Sequence, residues 1–143
     1  MCERRPRVSV GLPVFNGEAF LAQAIESMLG QSLADLELVI SDNGSTDRTA
    51  EICSHYAARD RRVRVERQEH NRGAAWNFNR VFELSRGELF KWAAHDDLCE
   101  PDFLARGVAV LDADPSVVWC HSRFVTIDPR GRVVEGPFGR LFD

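Results

Sequence analysis

Apolar and polar positions follow two periods along this chain, and the switches between them divide it into elements. Val8, Val10, Leu12 and Val14 alternate with Arg7, Ser9, Gly11 and Pro13. That period of two predicts a strand, with its proline near the end, where a missing donor matters least. Phe15-Asn16-Gly17 breaks it. From Glu18 to Leu29, Phe20, Leu21, Ala24, Ile25, Met28 and Leu29 recur at helical steps, and Gly30 stands where a C-cap belongs. Leu36 to Ile40 is apolar almost throughout, as in a parallel strand covered on both faces. Ser41-Asp42-Asn43-Gly44-Ser45-Thr46-Asp47 ends that strand. The latter part of this loop caps a helix over about 47–59, with Ile52, Cys53, Tyr56 and Ala57 on its apolar face.

Val63-Arg64-Val65 is a short third strand, and Gln68 to Gly73 a loop. The next helix holds Trp76, Phe78, Val81, Phe82 and Leu84 and is closed by Ser85-Arg86-Gly87. Glu88 to Ala94 reads as a fourth strand. Pro101 to about Ala113 reads as a fourth helix with Phe103, Leu104, Val108 and Leu111 inward. Val117 to Cys120 is expected to be a fifth strand, extending through Phe124 and Val125. Asp128-Pro129-Arg130-Gly131 has the residues of a type I turn, after which Val133 and Val134 return as a hairpin strand. The order β-α-β-α-β-α-β-α-β-β predicts an α/β fold, a three-layer α/β/α sandwich on a mostly parallel sheet. The domain is expected over 7–135, with tails at 1–6 and 136–143. Because the chain stops without a helix to finish it, it reads either as truncated or as simply ending in a tail.

A length of 143 residues with 44% apolar content suffices for one real core. A net charge of −4 argues against a nucleic-acid partner. The cysteines, Cys2, Cys53, Cys99 and Cys120, form no CxxC pair, which argues against a zinc site or a redox dithiol. Cys53 and Cys120 read as core residues, as do Trp76 and Trp92. Cys99 lies in a polar loop with no base beside it. No apolar run is long enough for a signal peptide or a membrane span. The expected compartment is the cytoplasm or the cytoplasmic face of a membrane, reached by peripheral association.

In a parallel sheet the C-terminal strand ends share one edge. The loops at 13–18, 41–47 and 95–100 therefore converge, with 68–73 nearby. Asp96 and Asp97 emerge there from an apolar run. Two adjacent acids repel, and their natural shared partner is a hard divalent cation with positions left for phosphate oxygens; the alternative is that they cap the next helix. Ser45, Thr46 and Asp47 are better capping candidates than Asp42. That leaves Asp42 to accept the N3–H of uracil or thymine, or the N1–H and N2 amine of guanine; its alternative is to stabilise the turn. Arg72 is placed to reach a diphosphate or stack on a base, or else is a solvated loop arginine. His95 stands beside the acidic pair, as a neighbour of metal or substrate or simply as a loop residue. GxxxxGK, GxGxxG and GxSxG are absent, against a P-loop NTPase, a Rossmann dehydrogenase and an α/β-hydrolase.

With these residues placed, the chain resembles the family-2 glycosyltransferases of the GT-A fold. The matching stretches run from Val8 to Glu18 (VSVGLPVFNGE), from Glu37 to Asp47 (ELVISDNGSTD), through Asn71-Arg72-Gly73, and from His95 to Asp102 (HDDLCEPD), in the family's order and spacing. The resemblance implies transfer of a sugar from a nucleotide diphosphate donor, a UDP-sugar by default, with inversion. The acceptor is an unidentified glycan, lipid-linked or small molecule in polysaccharide or glycoconjugate biosynthesis. It implies that Pro13, Val14, Phe15, Asn16, Glu18, Asp42 and Asn43 hold the donor and that Arg72 lies near the base or diphosphate. Asp96 and Asp97 correspond to the family's DxD region, which holds Mg²⁺ or Mn²⁺ and also contacts the donor. Ala94 stands where many relatives carry an acid, and counting back from Pro101 favours Asp96 as the direct ligand. The family's catalytic base lies downstream of that region. Asp112, Asp114, Asp128 and Glu135 fall in a helix end, turns and a hairpin and match no such base. A non-catalytic nucleotide-sugar-binding module or fragment is the alternative. A nucleotidyltransferase is a third reading, whose Gly-rich, Lys-containing signature Pro13 to Gly17 lacks.

Overall fold

The computed structural model describes residues 5–134. What was expected of residues 1–4 and 135–143, including most of the first tail, all of the second, Cys2 and Glu135, lies outside the described residues. The chain divides after Arg106 into two units.

The first unit carries four strands, β1 (Val8–Val14), β2 (Leu36–Asp42), β3 (Val63–Arg67) and β4 (Leu89–Trp92). They form one sheet in the order β3-β2-β1-β4, every neighbouring pair parallel. Helices α1 (Leu21–Leu29), α2 (Thr49–Arg59) and α3 (Ala74–Leu84) make the crossovers, and α4 (Phe103–Ala113) follows β4. Every residue of β1 and of β2 is buried, so the centre of the sheet is covered on both faces. Val10, Leu12, Leu38 and Ile40 form the core with Leu21, Ile25 and Met28 of α1. On β1, Gly11 leaves room for α3 to close: a Cβ there would lie 2.7 Å from the Phe90 ring and 2.9 Å from Val81.

The chain steps outward from β1 to β2 and β3, and α3 then returns it to the other side of β1. The sheet therefore reverses direction between β1 and β4, and the crevice beyond their C-terminal ends is the place where open α/β sheets take ligands.

Strand β4 ends at Trp92, two residues short of the expected Ala94, and Pro13 accounts for this. Leu89 N–H donates to Arg7 O (3.0 Å) and Ala93 N–H to Gly11 O (2.8 Å). The next rung of this parallel ladder needs an N–H at position 13, and proline has none. The chain leaves the sheet there and carries His95 and Asp96 around a turn. Helix α1 starts at Leu21 rather than Glu18, after a turn in which Gly17 O accepts from Phe20 and Leu21 N–H.

A buried polar cluster joins the opposite ends of the strands. Glu37 Oε1 accepts from Ser9 Oγ (2.6 Å) and Arg86 N–H (2.7 Å), and its Oε2 from Arg64 Nη1 (3.0 Å). Gly87 N–H donates to Ser9 Oγ (2.7 Å). Burial alone would raise the Glu37 pKa. The hydrogen bonds from Ser9, Arg86 and Arg64, with the Arg64 charge, more than offset that and hold it below the ordinary 4.5.

Two expected core residues lie elsewhere. Trp92 is 49% exposed on the edge strand and donates Nε1–H to Phe78 O at 3.1 Å. Trp76 is half-buried. Cys53 is fully buried, and burial pushes its thiol up to about 12. Burial also raises the Cys99 pKa, which is the opposite of what an activated nucleophile needs.

In the second unit the fifth strand does not form. Val118 is 88% exposed, and Trp119, Phe124 and Val125 are exposed with it. An apolar run becomes a strand only beside a partner edge, and none pairs with this one among the described residues. Cys120, expected in the core, is exposed as well. The hairpin is present in its shortest form: Gly131 N–H closes the turn on Asp128 O (2.8 Å), and one antiparallel bridge joins Ile127 to Val133.

Candidate functional site

Beyond the ends of β1 and β4 lies a cleft of about 310 Å³. Pro13, Val14 and Phe15 form one wall from β1, and Ala74, Asn77 and Phe78 another from the start of α3. Asn43 and Asn71 come from the loops after β2 and β3, while Ala94, His95 and Asp96 come from the loop after β4. The cleft thus offers two exposed phenyl rings, amide groups and, at the β4 side, an imidazole with a carboxylate.

Local backbone chemistry builds these walls. The loop after β1 and the loop after β2 are laced together reciprocally. Asn16 N–H donates to Ser45 Oγ (2.9 Å), Gly17 N–H to Thr49 Oγ1 (2.9 Å) and Glu18 N–H to Asp47 Oδ2 (3.1 Å). In return Thr46 N–H donates to Asn16 Oδ1 (2.9 Å) and Arg48 N–H to Glu18 Oε2 (2.9 Å). Gly17 also admits His95, since a Cβ at that position would lie 2.8 Å from the imidazole Cδ2 and 2.6 Å from Val14 Cγ2. Asn43 ties in the third loop: its Nδ2 donates to Asn71 Oδ1 (2.9 Å) and Gly73 O (3.1 Å), and its Oδ1 accepts from Arg72 N–H (3.0 Å). Asn77 Nδ2 bridges the ends of the two central strands by donating to Val14 O (3.3 Å) and Ser41 O (3.0 Å). Gln31 holds the far side of the β4 loop, donating to Glu100 O (2.8 Å) and accepting from Leu104 N–H (2.9 Å).

Among the expected donor-binding residues, Pro13, Val14, Phe15, Asn43 and Asp96 line this cleft; Asn16, Glu18, Asp42, Arg72 and Asp97 do not. Asn16 and Glu18 are engaged in the lacing described above. Asp42 is not spare from turn-making, as the sequence suggested. It is fully buried, its Oδ1 accepts Ser45 N–H (2.9 Å), and its Oδ2 lies 3.2 Å from Arg67 Nε. Arg72 lies between the lining residues Asn71 and Ala74, with its guanidinium on Trp76. Asp97 follows Asp96 on the exposed turn. Asn71, Asn77 and Phe78 were missed in the sequence. An amide or a phenylalanine carries no ligand signature of its own; the position of α3 against β1 brings Asn77 and Phe78 to the cleft, and the bond from Asn43 holds Asn71 in the loop before it.

Asp96 and Asp97 are adjacent exposed carboxylates on the turn after β4. No group of three or more His, Cys, Asp and Glu side chains that could hold a metal ion occurs among the described residues. One or two carboxylates with substrate phosphates and water are a usual donor set for Mg²⁺, and this pair fits it. No described helix is long and apolar enough to cross a membrane.

Residues 9–138 match the model of a family described as glycosyl transferase family 2. The glycosyltransferase GlyG of Streptococcus pneumoniae is 34% identical over 110 residues, which make up 75% of this chain and 36% of GlyG. The mannosyltransferase PcManGT of Pyrobaculum calidifontis, solved with GDP-Man and Mn²⁺, superposes with a TM-score of 0.71 at 28% identity, over 80% of this chain and 34% of its own. TarS of S. aureus, solved with UDP-GlcNAc, gives 0.70 at 25% identity, over 75% of this chain and 31% of its own. The chain spans about a third of each of these proteins. The parallel α/β sheet is of the GT-A type that these solved enzymes share. With the match of the family model over nearly its whole length, this chain belongs to glycosyl transferase family 2.

Proposed function

We propose that this chain is the donor-binding portion of a glycosyltransferase, and that the cleft between β1 and β4 takes the nucleoside diphosphate of a nucleotide-sugar. The observation that carries this reading is the composition of that cleft at the switch point. Phe15 and Phe78 flank amides at one part of it, suited to a base and ribose, and Asp96 stands at the β4 side, suited to a cation-bound diphosphate. The complexes of PcManGT with GDP-Man and Mn²⁺ and of TarS with UDP-GlcNAc support the ligand class, and the first of them supports the metal.

On this reading Pro13, Val14, Phe15 and Asn43 contact the nucleoside directly. Asn16, Glu18 and Asp42 act through the loops they hold, and Arg72 reaches in from the end of the β3 loop. Asp96 holds Mg²⁺ or Mn²⁺, with Asp97 beside it. The bound cation supplies neutralisation of the charge that develops on the departing diphosphate. Transfer with inversion also needs a general base on the acceptor side. No base is assigned among the described carboxylates, and the roles assigned to this chain's residues are binding and orientation of the donor.

Calorimetric titration with UDP, GDP and dTDP, each with and without Mn²⁺, tests this. Metal-dependent binding of one nucleotide is expected, UDP by default. Asp96→Ala should remove the Mn²⁺-dependent part of the affinity and leave the rest. No binding by the folded chain, or equal losses from Asp96→Ala with and without Mn²⁺, would count against the reading.

A further inference from the structure

Arg72 is held differently from most arginines of its unit. Arg48, Arg62, Arg64, Arg67 and Arg80 each have a carboxylate oxygen within 3.2 Å. Among the described residues no carboxylate pairs with Arg72. Its guanidinium carbon lies instead 4.1 Å from the centroid of the Trp76 ring. The backbone is fixed too, because Arg72 N–H donates to Asn43 Oδ1 at 3.0 Å. Gly73 then turns the chain at φ 89° into α3, which brings Trp76 round beneath the side chain one turn later.

The position is electrostatically unusual. Among the described residues no side chain caps α3, and Arg72 directly precedes its N-cap Gly73 with its guanidinium on a ring of the first turn, near the positive end of the helix dipole. A cation there is repelled by the helix. The ring face opposes this by attracting the guanidinium. Stacking also leaves the in-plane N–H donors of Arg72 directed outward for an acceptor. The flanking residues Asn71 and Ala74 line the cleft.

We propose that Trp76 is a positioning residue for the donor site: its ring holds the Arg72 guanidinium at the uncapped start of α3, ready to bond an oxygen of the bound nucleotide. The acceptor is a phosphate oxygen or a base carbonyl. This inference rests on the donor-site reading given above.

The test is a double-mutant cycle read by calorimetry, with UDP and uridine as probes and circular dichroism as the check on folding. Trp76→Ala should weaken UDP binding about fivefold. Trp76→Phe, which keeps a ring face, should restore most of it. In an Arg72→Ala background the same Trp76→Ala change should cost nothing further, because the two residues act as one unit. A loss with UDP and none with uridine places the contact on phosphate; equal losses place it on the base. Trp76→Leu keeps apolar bulk without the ring face, and it should lose as much as Trp76→Ala, so it serves if the alanine variant does not fold. Overturning results are an unchanged affinity in Trp76→Leu, or a loss of the same size with and without Arg72, which would mark a role in packing alone. Absence of UDP binding to the folded wild type would instead remove the donor-site reading, and this inference with it.

Discussion

Glu37 and Asp42 are both carboxylates of β2, and each is buried for a different reason. Glu37 is the second residue of β2 and is 4% exposed, and a buried charge is costly unless it is hydrogen-bonded; Ser9, Arg64 and Arg86 supply those bonds. Removing it takes a buried acceptor away from all three donors. Glu37→Ala should cost about 3 kcal/mol in urea unfolding at neutral pH, and a change below about 0.5 kcal/mol would show that the cluster does not hold the strands. Its pKa is lowered in the fold, so its stabilisation is complete above the ordinary value of 4.5 and is lost as pH falls below that. Wild type should therefore lose stability on acidification through that window more steeply than Glu37→Gln. Asp42 illustrates what the sequence could not disclose. A carboxylate at the end of a buried strand reads equally well as a ligand or as a turn-maker, and its pairing with Arg67, which accompanies its bond from Ser45 N–H, comes from a partner that no local pattern encodes.

At the scale of elements, two backbone features place the site. Pro13 ends the pairing of β1 with β4 while leaving the pairing with β2 intact, since Asn43 N–H still reaches Val14 O at 2.9 Å. The β1–β4 pairing stops at Gly11 and Trp92, and Pro13 to Phe15 and Ala94 to Asp96, which follow, line the cleft. Gly17 lets the loop that leaves β1 approach His95. Gly17→Ala should destabilise by about 2 kcal/mol through overpacking and weaken nucleotide binding, because the new methyl must displace Val14 or His95. Thermal unfolding and calorimetry check the two effects separately, and a variant indistinguishable from wild type in both would contradict the packing described. The elements themselves were legible from periodicity: β1, β2, β3 and α1 to α4 lie where the pattern puts them, because burial on one or both faces imposes it. The ends were less so. They are set by long-range partners such as Gly11 O for Ala93 and Gln31 for Leu104, which no local pattern encodes.

At the scale of the whole chain, the order of elements was enough to predict a parallel sheet with its loops converging on one edge. The strand order β3-β2-β1-β4 then fixes which loops meet. The four stretches that resemble family-2 glycosyltransferases map onto loops on that edge and the strands leading to them, and the family match over residues 9–138 agrees with them. Val117 to Cys120 marks the limit of such reading. It has the composition of a strand, yet strand formation depends on an edge to pair with, and composition carries no information about that edge. Of the residues lining the cleft, Pro13, Val14, Phe15, Asn43 and Asp96 could be singled out from the sequence, whereas Asn77 and Phe78 are placed there by the docking of α3 and Asn71 by its bond to Asn43.

The most direct test of the central claim is an amide correlation NMR spectrum of the ¹⁵N-labelled chain with UDP, recorded with Mg²⁺ and then with Mn²⁺. The account predicts that UDP with Mg²⁺ shifts resonances of residues 14–17, 43, 71–78 and 94–97. Paramagnetic Mn²⁺ should then broaden most strongly those around Asp96, and only when UDP is present. Broadening centred instead on the Glu37, Arg64 and Arg86 cluster, or independent of UDP, would contradict the placement of the donor site.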